Sequence, residues 1–377
     1  MENGQMSVNP SFWRGKKVFM TGHTGFKGAW LAVWLRRMGA DVTGYALRPP
    51  AASNLFELCN LDELVPTVFG DVRDSQSLEK AVGQADPDVV FHLAARPLVR
   101  ASYDKPRETF EVNVVGTVNM LEALRLAAGT RAVSRPRAFV NVTTDKVYDN
   151  RDWAWGYREN DALGGYDPYS GSKACSELVT ASYRSSFWNP SSYSEHLTSL
   201  ATARAGNVIG GGDWAADRLV PDAVRALQSG KAMKVRYPMA IRPWQHVLEP
   251  LSGYLMLAER LVEDGPRFGE SWNFGPDSSD VRTVKEVLGL MGDCIGSHSF
   301  YELEPSNANP HEAGLLKLDC SKANRQLRWT SKWSLDTTVR KVLDWYDAYE
   351  RQEVMLAFCE RQIDEYLNGW RDPVCGS

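Results

Sequence analysis

The chain is predicted to fold as an α/β protein, and three observations carry that expectation. Short apolar runs alternate with helical patterns from Lys16 to about Val142, a glycine-rich turn separates the first run from the first helix, and each run ends in small or polar residues. Such alternation gives a parallel sheet with helices on both faces, because each strand must cross over before it pairs again. At 377 residues the chain exceeds what one compact core usually holds, so a second lobe is expected. The prediction is a Rossmann-like doubly wound parallel sheet with a smaller, mixed substrate-binding lobe.

Taken in order, residues 17–20 read as the first strand, and Gly22-His23-Thr24-Gly25-Phe26-Lys27-Gly28 as the turn that opens a helix over 28–38. Residues 41–45 form the second strand, ending at Arg48-Pro49-Pro50. Residues 67–69 precede Gly70-Asp71-Val72-Arg73, residues 88–93 precede Ala94-Ala95-Arg96, and residues 138–142 precede Thr143-Thr144-Asp145-Lys146. These endings matter because ligands of doubly wound sheets bind outside the carboxyl ends of the strands. After about Ala205 the texture turns glycine-rich and proline-punctuated, as in loops closing over a substrate. The organisation expected is therefore a dinucleotide-binding domain over 13–205 with returns near 240–262, a substrate lobe mostly over 206–336, and C-terminal packing or oligomer helices over 337–367, where Val339, Val342, Leu343 and Trp345 have helical spacing.

Composition narrows the function classes. Hydrophobic residues make up 43% and charged residues 24%, and a net charge of -4 leaves no basic excess to hold a nucleic acid or an anionic membrane. No apolar run approaches the roughly 20 residues of a membrane span, and residues 1–10 are polar, so a cytoplasmic protein is expected. The six cysteines lack C-x-x-C spacing, which points to reduced thiols. His92, His246 and His311 have no acidic or thiol partners at ligand spacing, so no metal is expected. Most tryptophans, such as Trp30 and Trp34 at helical spacing, are expected in the core.

The chemistry rests on Tyr169-Ser170-Gly171-Ser172-Lys173. A tyrosine and a lysine four apart share one helix face, where the ammonium can stabilise a phenolate and draw its pKa from about 10 toward neutrality. That makes a proton shuttle for carbonyl chemistry. The glycine turn lets backbone N–H groups at a helix N-terminus approach a pyrophosphate, so the two features together suggest a base beside a bound nicotinamide.

On these residues, together with Asp71-Val72, His92-Leu93-Ala94-Ala95 and Asn113-Val114-Val115-Gly116-Thr117, the chain resembles the extended short-chain dehydrogenases/reductases. Within them it is similar to the nucleotide-sugar 4,6-dehydratases, over about residues 13–345. The segments Gly22 to Gly28, Trp155-Gly156-Tyr157-Arg158-Glu159-Asn160, Gly206-Asn207-Val208-Ile209-Gly210-Gly211-Gly212-Asp213-Trp214 and Ile241-Arg242-Pro243-Trp244-Gln245-His246-Val247 resemble the branch that acts on CDP-glucose.

The resemblance implies an intramolecular redox elimination. Oxidation at C4 acidifies the C5 proton, water leaves across C5–C6, and reduction at C6 gives a 4-keto-6-deoxy sugar. Tyr169 is then the base at O4, Thr144 a hydrogen-bond donor to the same oxygen, Lys173 the holder of charge and ribose, and Asp145 the acid for the C6 hydroxyl, provided burial keeps it protonated. Most relatives carry a glutamate after this aspartate as the C5 base, whereas here Lys146 follows. Lys146 either removes the proton as a neutral amine or positions the sugar or a water.

The resemblance further assigns the cofactor to Gly22, Thr24, Gly25, Phe26, Gly28, Arg48, Asp71, Val72, Leu93, Ala94, Ala95, Arg96, Asn113, Tyr169 and Lys173, with Asp71 and Val72 at the adenine and Arg96 near the pyrophosphate. An arginine at Arg48, where NAD selection generally uses an acidic residue, could favour a 2′-phosphate; the branch implies NAD. Substrate contacts fall to Asn207, Arg218, Arg242 and His311, with Arg242 meeting the diphosphate. A homo-oligomer, dimer or tetramer, is expected. An epimerase of the same superfamily would share Tyr169 and Lys173 without needing an acid beside Thr144, and a non-catalytic dinucleotide sensor would tolerate loss of all these groups.

Overall fold

The computed structural model describes residues 7–49, 53–129, 135–277, 280–304 and 314–368. Its main sheet has seven strands: β1 (Lys17–Thr21), β2 (Asp41–Ala46), β3 (Thr67–Phe69), β4 (Val89–His92), β5 (Arg137–Val142), β6 (Thr198–Ala205) and β7 (Ser271–Phe274). They lie in the order β7-β6-β5-β4-β1-β2-β3, and every pair is parallel. Val18 of β1 is level with Val42 of β2 on one side and Val89 of β4 on the other. Strand order reverses between β1 and β4, which opens a crevice at their carboxyl ends.

Because helices cover both faces, the central strands are buried continuously rather than alternately: all four residues of β4 and all eight of β6 are buried. One core lies beneath the helices Ser75–Ala85 and Gly116–Gly129 and includes Leu78, Met120, Leu121 and Phe139. The other, larger core lies beneath the helices Phe26–Arg37, Leu248–Glu263 and Met355–Asn368, with Trp30 and Trp34 fully buried in it. The chain's return to the sheet after 206 is wider than the stretch near 240–262: the helix Leu248–Glu263 packs on β5 and β6, and β7 adds a strand at the edge.

The smaller lobe is held by two- and three-residue ladders, Ile241–Arg242 with Arg282–Thr283 and Met233–Val235 with Tyr301–Leu303. The C-terminal helical stretch is two helices, Leu335–Glu350 and Met355–Asn368, broken where Gln352 takes a positive φ of 58°. Val339, Val342 and Trp345 are buried as their spacing suggests. Trp345 lies so close to Gly211 that a Cβ there would stand 1.9 Å from its ring.

No helix among the described residues is long and apolar enough to cross a membrane, and no group of three or more His, Cys, Asp or Glu among them could hold a metal. Cys59, Cys175, Cys294, Cys320 and Cys359 are free thiols, and Cys375 lies outside the described residues. His92 bonds Thr21 at 2.7 Å, and His246 packs against Trp30 and Trp333, so both imidazoles have structural surroundings.

Candidate active site

A cavity of about 600 Å³ runs along the carboxyl ends of β1, β2, β4, β5 and β6 and continues under the smaller lobe. Its size is that of a small-molecule site. At the β1 end the wall is backbone. Gly22 has φ +73°, and a Cβ on it would stand 2.7 Å from the Ala94 nitrogen; a Cβ on Gly28 would stand 2.3 Å from the Gly22 oxygen. Only glycine fits either place. Gly25 caps the helix Phe26–Arg37 with no side-chain hydrogen bond, so the first turn presents its N–H groups and the positive end of its dipole where Gly25, Phe26 and Gly28 line the cavity. A diphosphate fits that cradle. Thr24 donates to the Leu47 carbonyl at 2.9 Å, which fixes the turn against the end of β2.

Leu93, Ala94, Ala95, Asp71 and Val72 line the same end. Arg73 bonds the Asp71 carboxylate at 2.6 Å and holds its pKa below the usual carboxylate range. Arg96 lines the cavity and pairs with Glu108 at 2.7 Å. Two residues assigned to the cofactor lie apart from the wall. Arg48 is exposed and stacks 4.1 Å over the Phe69 ring. Asn113 is buried; it accepts from the Arg96 backbone nitrogen at 2.8 Å and donates to Ser172 at 2.8 Å, tying the β4 turn to the helix that carries the Tyr169–Lys173 pair.

That helix, Pro168–Ser186, starts at an Asp167 cap whose carboxylate accepts from Ser170, with Pro168 pre-set for the first turn. Tyr169 and Lys173 point from it into the cavity, and Thr144, Asp145 and Lys146 enter from the end of β5, so the structure brings all five together. The electrostatics differ from the sequence expectation in one respect. Burial pushes the Tyr169 phenol up to about 12, with only partial relief from its hydrogen bond with Thr144. The Lys173 amine donates to the Val142 carbonyl at 2.9 Å, and burial brings its own pKa down to about 8. Desolvation disfavours both charges, so burial works against a phenolate–ammonium pair at these two residues.

Asp145 is 2% exposed, and burial raises its pKa against the pull of Lys146, Thr144, Arg242 and Lys27. Its Oδ1 accepts from Thr144 at 3.0 Å; its Oδ2 is buried and has no hydrogen-bond partner among the described residues. Gly206 makes the room, since a Cβ there would stand 2.5 Å from that Oδ2.

Asn207, Arg218 and Arg242 line the far end. Arg218 meets Asp213 at 2.7 Å, and Arg242 is buried within electrostatic reach of Asp145. His311 lies outside the described residues. Lys27 was not singled out from sequence, yet it lines the cavity, and burial lowers its pKa to about 8, with Arg218 and Lys173 lowering it further and Asp145 opposing. The available signal was a lysine inside the glycine turn, where the helix enters the core.

The model of the family described as GDP-mannose 4,6 dehydratase matches residues 19–342. The chain is 50% identical over 361 residues to the CDP-glucose 4,6-dehydratase of Salmonella typhimurium, covering 96% of this chain and 99% of that one. Among solved structures, DesIV, a dTDP-glucose 4,6-dehydratase from Streptomyces venezuelae with NAD and TYD bound, superposes with a TM-score of 0.74 at 23% identity over 90% of this chain and 99% of that one. The epimerase Mth375 from Methanothermobacter thermautotrophicus gives 0.74 at 21%, over 91% and 95%. At those identities the two structures speak for the fold alone, whereas the family match and the Salmonella relative span nearly the whole chain: the protein belongs to the GDP-mannose 4,6 dehydratase family of nucleotide-sugar dehydratases.

Proposed function

We propose that this protein converts CDP-D-glucose to CDP-4-dehydro-6-deoxy-D-glucose and water, using bound NAD. The observation that carries the reading is Asp145, a buried carboxyl with one oxygen unpaired among the described residues, beside Thr144 and in one cavity with Tyr169. An epimerase has no use for a protonated acid there, while loss of the C6 hydroxyl requires one. The printed activity of the Salmonella relative supports the choice of CDP-glucose.

NAD, when bound, supplies a reversible two-electron acceptor that takes up hydride from C4 and returns it to C6. The glycine cradle and the helix N-terminus would hold its diphosphate, and Asp71 and Val72 its adenosine end. Tyr169 removes the O4 proton while Thr144 steadies that oxygen. Lys173 holds the phenolate's charge once it forms. Asp145 gives its proton to the departing C6 hydroxyl, and Arg242 grips the substrate diphosphate with its fork of donors. Turnover of CDP-glucose compared with dTDP-, GDP- and UDP-glucose, followed by the 4-keto-6-deoxy product, tests the reading; no product from any of them sinks it.

Lys146 is the proposed C5 base. It lines the cavity as the residue after Asp145 and carries the nitrogen base that directly follows the proposed acid in sequence. Lys146→Met is expected to slow exchange of the C5 proton with solvent by about tenfold or more while C4 oxidation changes little. Wild-type exchange in that variant makes Lys146 a positioning group.

A homo-oligomer and a cytoplasmic setting are part of this proposal. Val115, Leu126 and Leu178 are large apolar residues exposed on the neighbouring helical segments 106–129 and 168–186, with Phe187 exposed just past the end of the second, and self-association would cover them. Light scattering should give two or four times the mass of one chain, and Leu178→Glu should reduce it. Five free thiols among the described residues suit a reducing compartment.

A further inference from the structure

We propose that Glu177 is a positioning residue of this site: its carboxylate locks the end of β5 to the helix bearing Tyr169 and Lys173, and it is the counter-charge of the Lys173 ammonium. The proposal rests on the catalytic reading above but names a residue outside the cavity wall.

Glu177 lies one helical turn beyond Lys173 and is buried to 2% exposure. Its Oε1 accepts from the Thr143 hydroxyl at 2.5 Å and from Arg204 Nε at 2.9 Å; its Oε2 accepts from Thr202 at 2.5 Å and Arg204 Nη2 at 2.9 Å. So full a set of donors holds a buried carboxylate ionised, and its pKa is indeed lowered despite burial. Thr143 immediately precedes Thr144 and Asp145. Two successive turns of the helix therefore grip two successive residues of the strand end, Lys173 the Val142 carbonyl and Glu177 the Thr143 hydroxyl. That double tie sets the approach of Thr144 to Tyr169.

Arg204 carries the same restraint outward. Its Nη1 donates to the Tyr148 hydroxyl at 2.8 Å and the Glu159 carbonyl at 3.1 Å, and Tyr148 donates to Asn273 of β7 at 2.7 Å. The ion pair thus joins β5, β6, β7 and the segment that follows the catalytic strand.

Around Lys173 the charged and titratable groups are Glu177 and Tyr169 on its own helix, Asp145 and Lys146 at the end of β5, Arg204 on β6 paired with Glu177, Lys27 on the helix Phe26–Arg37 and His92 on β4. Lys27 disfavours the ammonium, and buried His92 is neutral near pH 7. Glu177 is the group that favours it.

Competitive acetylation of Lys173 with acetic anhydride over a pH series, read by peptide mass spectrometry, gives the midpoint of its amine without turnover. Glu177→Gln should lower that midpoint by about one pH unit or more. Because this substitution strands Arg204 as a lone buried cation, the charge-balanced E177Q/R204M variant carries the same measurement in an interior without a lone charge, and a smaller fall is expected, since losing the Arg204 cation itself favours the ammonium. Thr143→Val removes only the strand tie: kcat should drop by about tenfold or more with KM within about twofold, and the Lys173 midpoint should stay. An unmoved midpoint in folded Glu177→Gln, or a rise in folded E177Q/R204M, overturns the counter-charge, and wild-type kcat in Thr143→Val overturns the tie. A wild-type protein inactive on every nucleotide glucose would overturn the functional reading instead, and the labelling result would stand apart from it.

Discussion

Replacing Tyr169 by phenylalanine should lower turnover of CDP-glucose by about two orders of magnitude or more, with the fold intact. The ring is retained where it packs, and the helix start that carries it is held by groups the substitution leaves in place: the Asp167 cap and the Tyr169 backbone nitrogen, which donates to Ser102 at 3.1 Å. What disappears is the hydroxyl that hydrogen-bonds with Thr144. Removing a buried hydroxyl also removes its desolvation cost, so the melting temperature should change by only a few degrees. Since burial pushes this phenol up to about 12, its phenolate fraction is small near neutral pH and grows as pH rises. Wild-type turnover should therefore climb with pH on its acid side, and that dependence should be absent from the residual activity of Tyr169→Phe. A variant close to wild-type turnover would remove Tyr169 from the role of base.

Much of this site was legible because its signals are local. Strand endings at Arg48, Gly70, Ala94 and Thr143, a glycine turn and a tyrosine four residues before a lysine are all patterns of spacing, and the structure puts those endings at one edge of one sheet. β6 carries no clear strand signal in the sequence, because Thr198, Ser199, Thr202 and Arg204 give it a polar texture; their partners, such as Glu177 for Thr202 and Arg204, come from a different part of the chain. The direction of the Tyr169 shift was misjudged for a related reason. Sequence spacing puts an ammonium near the phenol, but only packing shows that both are buried and that the amine is already engaged with Val142. Gly206 likewise reads as one more loop glycine until its missing Cβ proves to be the space occupied by the Asp145 carboxylate. Arg48, at the expected place in sequence, turns outward onto Phe69, so a charge that raised the question of a 2′-phosphate lies off the cavity wall.

Asp145→Asn should stall the reaction after C4 oxidation. The amide fills the same space, can still accept from Thr144 through its oxygen, and puts no larger group against Gly206. It cannot give a proton to the leaving C6 hydroxyl. Elimination should slow by about two orders of magnitude or more while oxidation at C4 continues, so the absorbance of reduced nicotinamide should build up on the enzyme instead of remaining transient. Stability near neutral pH should not fall, because the substitution replaces a carboxyl that burial already disfavours as an anion. The pH dependence follows from the same shift. A carboxyl whose pKa is raised keeps its proton to higher pH than a surface aspartate, and it loses its ability to act as acid as pH rises through that raised value. The alkaline decline of elimination in the wild type should accordingly be missing from the residual rate of Asp145→Asn. If the variant eliminates as fast as it oxidises, the C6 hydroxyl takes its proton from elsewhere in the cavity, and Lys27, half-buried near Asp145 and lowered to about 8, becomes the side chain to replace next.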